Sequence, residues 1–86
     1  MPSTKVVVGS AVGLHARPAG IIAEKAEELG ADVTLAVDGE DPVDASSALL
    51  IMTLGAEKGT EVTVESDDQS AVDTIAALVQ QDLDAE

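Results

Sequence analysis

The chain has 86 residues, with 17 Asp and Glu against 4 Lys and Arg, a formal net charge of −13, and no Cys, Phe, Trp or Tyr. A chain of this size makes one domain and buries only roughly 60–65% of its unfolded surface, so a small aliphatic core of Val, Leu, Ile, Ala and Met is expected. The composition excludes a disulfide framework and a thiolate metal site, and the acidity argues against nucleic acid and anionic membrane surfaces as partners.

Thr4 to Val8 is β-branched and reads as a first strand, followed by a loop from Gly9 to Gly13. From Ala16 to Leu29 the pattern is helical: Ala19, Ile22, Ala26 and Leu29 share one face. Pro18 falls in the first turn, where its missing N–H costs little, and Gly30 is placed to end the helix. Asp32 to Val37 alternates as a half-buried strand, with Val33, Leu35 and Val37 inward. Asp38-Gly39 signals a hairpin, and Pro42 makes the returning strand short and an edge.

Ser46-Ser47 can cap a short helix running to about Leu54, closed by Gly55; which serine is the cap is left open. Thr60 to Glu65 alternates again, with Val62 and Val64 inward. A last helix starts at Asp67, Asp68 or Ser70 and buries Val72, Ile75, Ala76, Val79 and Leu83. The order is β-α-β-β-α-β-α. The fold class expected is α+β, a four-stranded antiparallel sheet with three helices on one face and a solvated opposite face that shows Asp32, Glu61 and Glu65.

The chemistry concentrates at Gly13-Leu14-His15-Ala16-Arg17-Pro18-Ala19-Gly20, which holds the only His and the only Arg. An imidazole just before a helix stands beside N–H groups that lack intrahelical partners. Helix starts carry partial positive charge and bind phosphate, and a neutral imidazole is a nucleophile. The Arg17 fork can hold two phosphate oxygens. Residues 15–17 therefore suit the acceptance and release of a phosphoryl group, with Ala16 and Arg17 at the phosphate-stabilising helix start. The bland alternative is a helix-capping histidine beside a surface arginine. No second histidine, phosphate-binding glycine loop, nucleophile elbow or calcium-loop spacing competes, so no metal or cofactor is called for.

Gly13 to Ala19 resembles the phosphohistidine motif of HPr, the phosphocarrier of the phosphoenolpyruvate:sugar phosphotransferase system. Val43-Asp44-Ala45-Ser46-Ser47-Ala48-Leu49-Leu50-Ile51-Met52-Thr53-Leu54-Gly55 resembles that family's second signature, and Lys58-Gly59-Thr60-Glu61-Val62 continues the match. The resemblance covers nearly the whole chain and implies a single HPr-like domain over residues 1–86, folded as an open-faced β-sandwich. It implies that His15 takes a phosphoryl group on Nδ1 from enzyme I and passes it to an enzyme IIA domain, with Arg17 stabilising the group in transfer. Such a molecule is a carrier working through phosphohistidine rather than a turnover enzyme. Ser47 matches the regulatory serine, displaced by one extra residue near Asp41-Pro42, and implies a serine kinase/phosphorylase as a further partner. Ala48, Leu49 and Met52 match an apolar docking patch.

The chain also departs from that pattern. Val12 stands where the family has a small polar residue near the histidine. Glu24, Glu27 and Glu28 stand where the family has partner-facing lysines on the first helix, with Lys25 the one basic residue among them. Arg17 is then expected to supply most of the side-chain positive charge near the phosphoryl group. The acid excess itself fits an acidic halophilic protein, because the Debye length falls to about 3 Å at 1 M salt and screens self-repulsion. No leader or membrane-length apolar run is seen, so a cytoplasmic monomer is expected. Two alternatives remain: a purely regulatory module acting through Ser47, and an acidic carrier with a serine-attached prosthetic arm. Retention of both His15 and Arg17 argues against the first, and alternating strands argue against the second.

Overall fold

The structure, a computed structural model, describes residues 2–10 and 13–81. Strand β1 spans Ser3–Val7, helix α1 Ala16–Leu29, β2 Val33–Val37, β3 Val43–Asp44, α2 Ala48–Thr53, β4 Glu61–Ser66 and α3 Gln69–Gln80. The β-α-β-β-α-β-α order is the expected one. The sheet order is β1-β4-β2-β3, and every neighbouring pair is antiparallel. The last strand therefore inserts between the first two, pairing Val62 with both Val6 and Val37, and Val64 with both Thr4 and Leu35.

Alternation puts Val6, Val8, Val33, Leu35, Val62 and Val64 on the inner face. Against them pack Ala19, Ile22, Ala23 and Ala26 of α1, Ile51 of α2, and Ala71, Val72, Ile75, Ala76 and Val79 of α3. Fully burying one of the larger side chains stabilises by about 1.5–3 kcal/mol. Leu29 and Val37, expected inside, are half-buried at the margin of this core. Leu83 and Val12 lie outside the described residues. The opposite sheet face is open, showing Lys5, Val7 and Glu61 to solvent. This is the open-faced sandwich expected.

Local chemistry sets the boundaries. Helix α1 ends where Gly30 turns left-handed (φ 69°) and donates its N–H to the Glu27 carbonyl at 3.1 Å. The β2–β3 connection starts with a turn at Asp38-Gly39, closed by the Glu40 N–H on the Val37 carbonyl at 3.0 Å. Pro42 then gives no ladder donor, and β3 is a two-residue edge strand beside Thr34 and Leu35. Helix α3 is capped by Asp68, whose Oδ1 accepts from the Ser70 N–H at 2.9 Å. Among the described residues, no helix is long and apolar enough to cross a membrane.

Candidate functional site

The segment leading into α1 is held by three other parts of the fold. The Val8 N–H donates to the Thr60 carbonyl at 2.9 Å, and the Gly9 N–H donates to the Val79 carbonyl, at the end of α3, at 3.1 Å. Ser10 is fully buried, and its Oγ donates to the Gln81 carbonyl at 3.2 Å. The Leu14 N–H donates to the Ala56 carbonyl at 2.8 Å, and the Leu14 side chain is buried. Gly13 makes that last contact possible. It sits at φ 73°, and a Cβ there would run into the Ala56 carbonyl oxygen and stand 2.8 Å from Glu57 Cα.

Immediately after this anchor the chain is exposed: His15, Ala16 and Arg17 all face solvent. His15 is the N-cap of α1 (φ −90°, ψ −163°), and its carbonyl accepts the Ala19 N–H at 2.8 Å. Its imidazole makes no capping hydrogen bond. The backbone of His15 is thus fixed by the helix while its ring is left available. The N–H groups of Ala16 and Arg17 precede the first intrahelical bond and have no partner within α1. Pro18, buried at the next position, has no N–H at all. The first turn contains no acidic side chain, so nothing on the helix competes with an incoming anion for these donors.

Helix α2 carries the second group of predicted residues. Ser47 is its N-cap, and the Ser47 Oγ accepts the Leu50 N–H at 3.3 Å, which settles the choice between the two serines. Ser46 serves the turn before it: its N–H and Oγ donate to Asp44 Oδ1 at 2.9 and 2.7 Å. These two bonds, the backbone one first, hold the Asp44 carboxyl below its ordinary acidity range. The Ser47 N–H then donates to the Asp44 carbonyl at 3.2 Å.

Of the predicted docking residues, Leu49 is 69% exposed, whereas Ala48 and Met52 are half-buried and pack against the core. Leu50, 40% exposed, extends the apolar surface beside Leu49. Periodicity over a six-residue helix is too short to phase these faces in advance. The structure brings His15, Ala16 and Arg17 together at one helix start and ties that start to the chain just beyond α2. Ser47 stands at the N-terminal end of α2, opposite the end that leads to Ala56.

The four cations divide into two kinds. Lys5 lies 3.9 Å from Glu61, and Lys25 lies 3.3 Å from Glu28. Arg17 and Lys58 make no ion pair among the described residues. A hollow of about 340 Å³ lies along α1 between Ile21, Glu24, Lys25, Glu28 and Leu78, away from the histidine. No group of three or more potential metal-ligating side chains is found among the described residues.

This arrangement can be set beside known proteins. The family profile described as "PTS HPr component phosphorylation site" matches residues 2–81. Phosphocarrier protein HPr of Streptomyces coelicolor is 46% identical over 56 residues, a match covering 65% of this chain and 60% of that protein. The aligned region thus spans under two thirds of that curated relative. The crystal structure of an HPr phosphocarrier from Bacillus anthracis superposes with a TM-score of 0.82 at 34% identity, covering 92% of this chain and 96% of the other. HPr-C-His from Thermoanaerobacter tengcongensis gives a TM-score of 0.88 at 26% identity, covering 100% and 99%. The profile match takes in both the exposed histidine at the start of α1 and the serine-capped α2, and the same fold recurs in the solved structures; the chain belongs to the HPr family of phosphotransferase-system phosphocarriers.

Proposed function

We propose that the chain relays a phosphoryl group through His15, taking it from phosphoenolpyruvate-charged enzyme I and giving it to an enzyme IIA component of the sugar phosphotransferase system. One observation carries this reading: His15 caps α1 through its backbone, and its imidazole makes no capping hydrogen bond among the described residues, at a helix start whose first turn has no acidic side chain. In transfer, the Nδ1 lone pair forms the bond to phosphorus while the bond from phosphorus to the donor's leaving atom breaks, its electron pair departing with the donor. The Ala16 and Arg17 N–H groups and the Arg17 guanidinium face the developing charge, so the work is positional and electrostatic. Passing the group on reverses the step, and no cofactor or metal takes part.

The relay is read as that of a cytoplasmic monomer adapted to high salt, with Leu49 and its neighbours Ala48 and Met52 contributing apolar contact to partners. A second reading has a specific support. The Ser47 Oγ accepts from Leu50 but donates to nothing among the described residues, so its hydroxyl is available to a serine kinase. Phosphorylation there would add negative charge at the start of α2 and so regulate the relay.

The test is incubation with phosphoenolpyruvate and the cognate enzyme I at high salt. Acid-labile label on the wild type that disappears in His15→Ala supports the relay. Absence of any label on the wild type overturns it. Label on His15→Ala moves the acceptor elsewhere.

A further inference from the structure

Lys58 has no task in the fold or in the relay as described. It is exposed in the turn Glu57-Lys58-Gly59-Thr60, where Gly59 is at φ 90°. The turn is closed twice, by the Thr60 N–H on the Glu57 carbonyl at 2.9 Å and by the Glu57 N–H on Thr60 Oγ1 at 3.1 Å. It is also bolted to the segment that leads to His15. Val8 donates to Thr60 at 2.9 Å and accepts from the Gly59 N–H at 3.0 Å. Two residues earlier, the Ala56 carbonyl takes the Leu14 N–H at 2.8 Å. Two residues of chain span at most about 7 Å, so the Lys58 backbone is fixed close to the residue that precedes His15.

The charge arrangement gives this position its meaning. Lys58 and Arg17 are the two cations that no carboxylate engages among the described residues, and both belong to the His15 end of the molecule. The remainder of the chain is strongly acidic. A protein that brings a phosphoryl group brings negative charge at the reacting point and must approach against that acidic field. We propose that Lys58 is a positioning residue for the phosphoryl donor: it offsets the adjacent Glu57 carboxylate and, with Arg17, keeps the approach to His15 from being anionic. Its charge acts on encounter and docking, while Arg17 acts on the group in transfer. The inference rests on the relay proposed above.

The experiment measures phosphoryl transfer from phosphoenolpyruvate-charged cognate enzyme I, with this chain as the varied substrate, at about 0.1 M and about 2 M KCl. Wild-type labelling is established first, since its absence refutes the relay itself and is distinct from any result on Lys58. At low salt, Lys58→Gln is expected to lower kcat/KM about threefold or more through KM, with kcat unchanged. Glu57→Gln should shift kcat/KM in the opposite direction, and Lys58→Arg should keep the wild-type value. Lys5→Gln makes the same change in net charge on the open sheet face and should leave the rate unaltered. At high salt all five proteins should converge. Equal low-salt rates for Lys58→Gln and wild type overturn the proposal, as does an equal loss in Lys5→Gln.

Discussion

Gly13 lies against Ala56 so closely that the Ala56 carbonyl oxygen occupies the space a side chain on Gly13 would need. The next residue, Leu14, donates its N–H to that same carbonyl at 2.8 Å. The histidine is therefore set from behind by a contact between two loops distant in sequence. Gly13→Ala forces either φ out of the left-handed region or the two loops apart. The backbone preference alone costs about 1–2 kcal/mol, and the steric conflict adds to it. Urea unfolding should show a loss of at least that size, and His15 phosphorylation should slow with it. A stability within about 0.5 kcal/mol of wild type would show that the loops separate freely.

Arg17→Ala should leave the fold intact, because the side chain is exposed and makes no ion pair among the described residues. Phosphoryl transfer should fall by about 10²-fold, the usual cost of removing one donor from a developing anion. Far-UV circular dichroism and transfer rates on the same sample separate the two effects. An unchanged rate would remove Arg17 from the mechanism.

The α2 cap can be tested from two sides. Ser47→Ala removes the acceptor for the Leu50 N–H and should cost about 1 kcal/mol while His15 still accepts phosphate. Ser47→Asp keeps an acceptor oxygen at the helix start, so stability should be retained. Its added negative charge should nevertheless reduce acceptance at His15, in the manner of a phosphorylated serine. Equal transfer rates for Ser47→Asp and wild type would count against the regulatory reading.

Asp44 predicts a particular pH dependence. Its carboxyl is held below the ordinary 3.8 by the Ser46 N–H and Oγ. A carboxyl depressed in the folded state contributes stability that is fully present above its unfolded value and disappears as pH falls through the folded one. Asp44→Asn should therefore lower Tm at about pH 6, and the gap to wild type should close below about pH 4. A gap independent of pH would assign the loss to packing of the turn instead.

Salt should stabilise the whole molecule. With 17 acidic residues against 4 basic ones in the chain and two ion pairs among the described residues, self-repulsion outweighs attraction at low ionic strength. Raising KCl from about 0.1 to 1 M shortens the Debye length from about 10 to 3 Å, and Tm should rise. A falling Tm over that range would mean the two ion pairs matter more than the repulsion.

Local signals placed the elements well. Pro18, the 3.6-residue apolar spacing and Gly30 bound α1 at Ala16 and Leu29, where the structure has it. Pro42 marked β3 as short and on the edge, as observed. What stayed hidden depends on long-range pairing. Nothing local says that β4 inserts between β1 and β2, or that Ala56 receives Leu14. The choice between Ser46 and Ser47 needed the Asp44 carboxylate in place, which takes Ser46 and leaves Ser47 to the helix. The exposure of Leu49 and Leu50, against the half-burial of Ala48 and Met52, depended on how a short helix is rolled against α1.

The exposed ring of His15 has a consequence for timing. In the proposed relay, a phosphoryl group on this solvent-facing residue is open to water as well as to a partner. Such a carrier holds its charge as a perishable intermediate. Its fidelity is then a race, won when encounter with the next protein is faster than hydrolysis. On that proposal, the concentration of partners becomes the quantity that decides how much phosphate arrives.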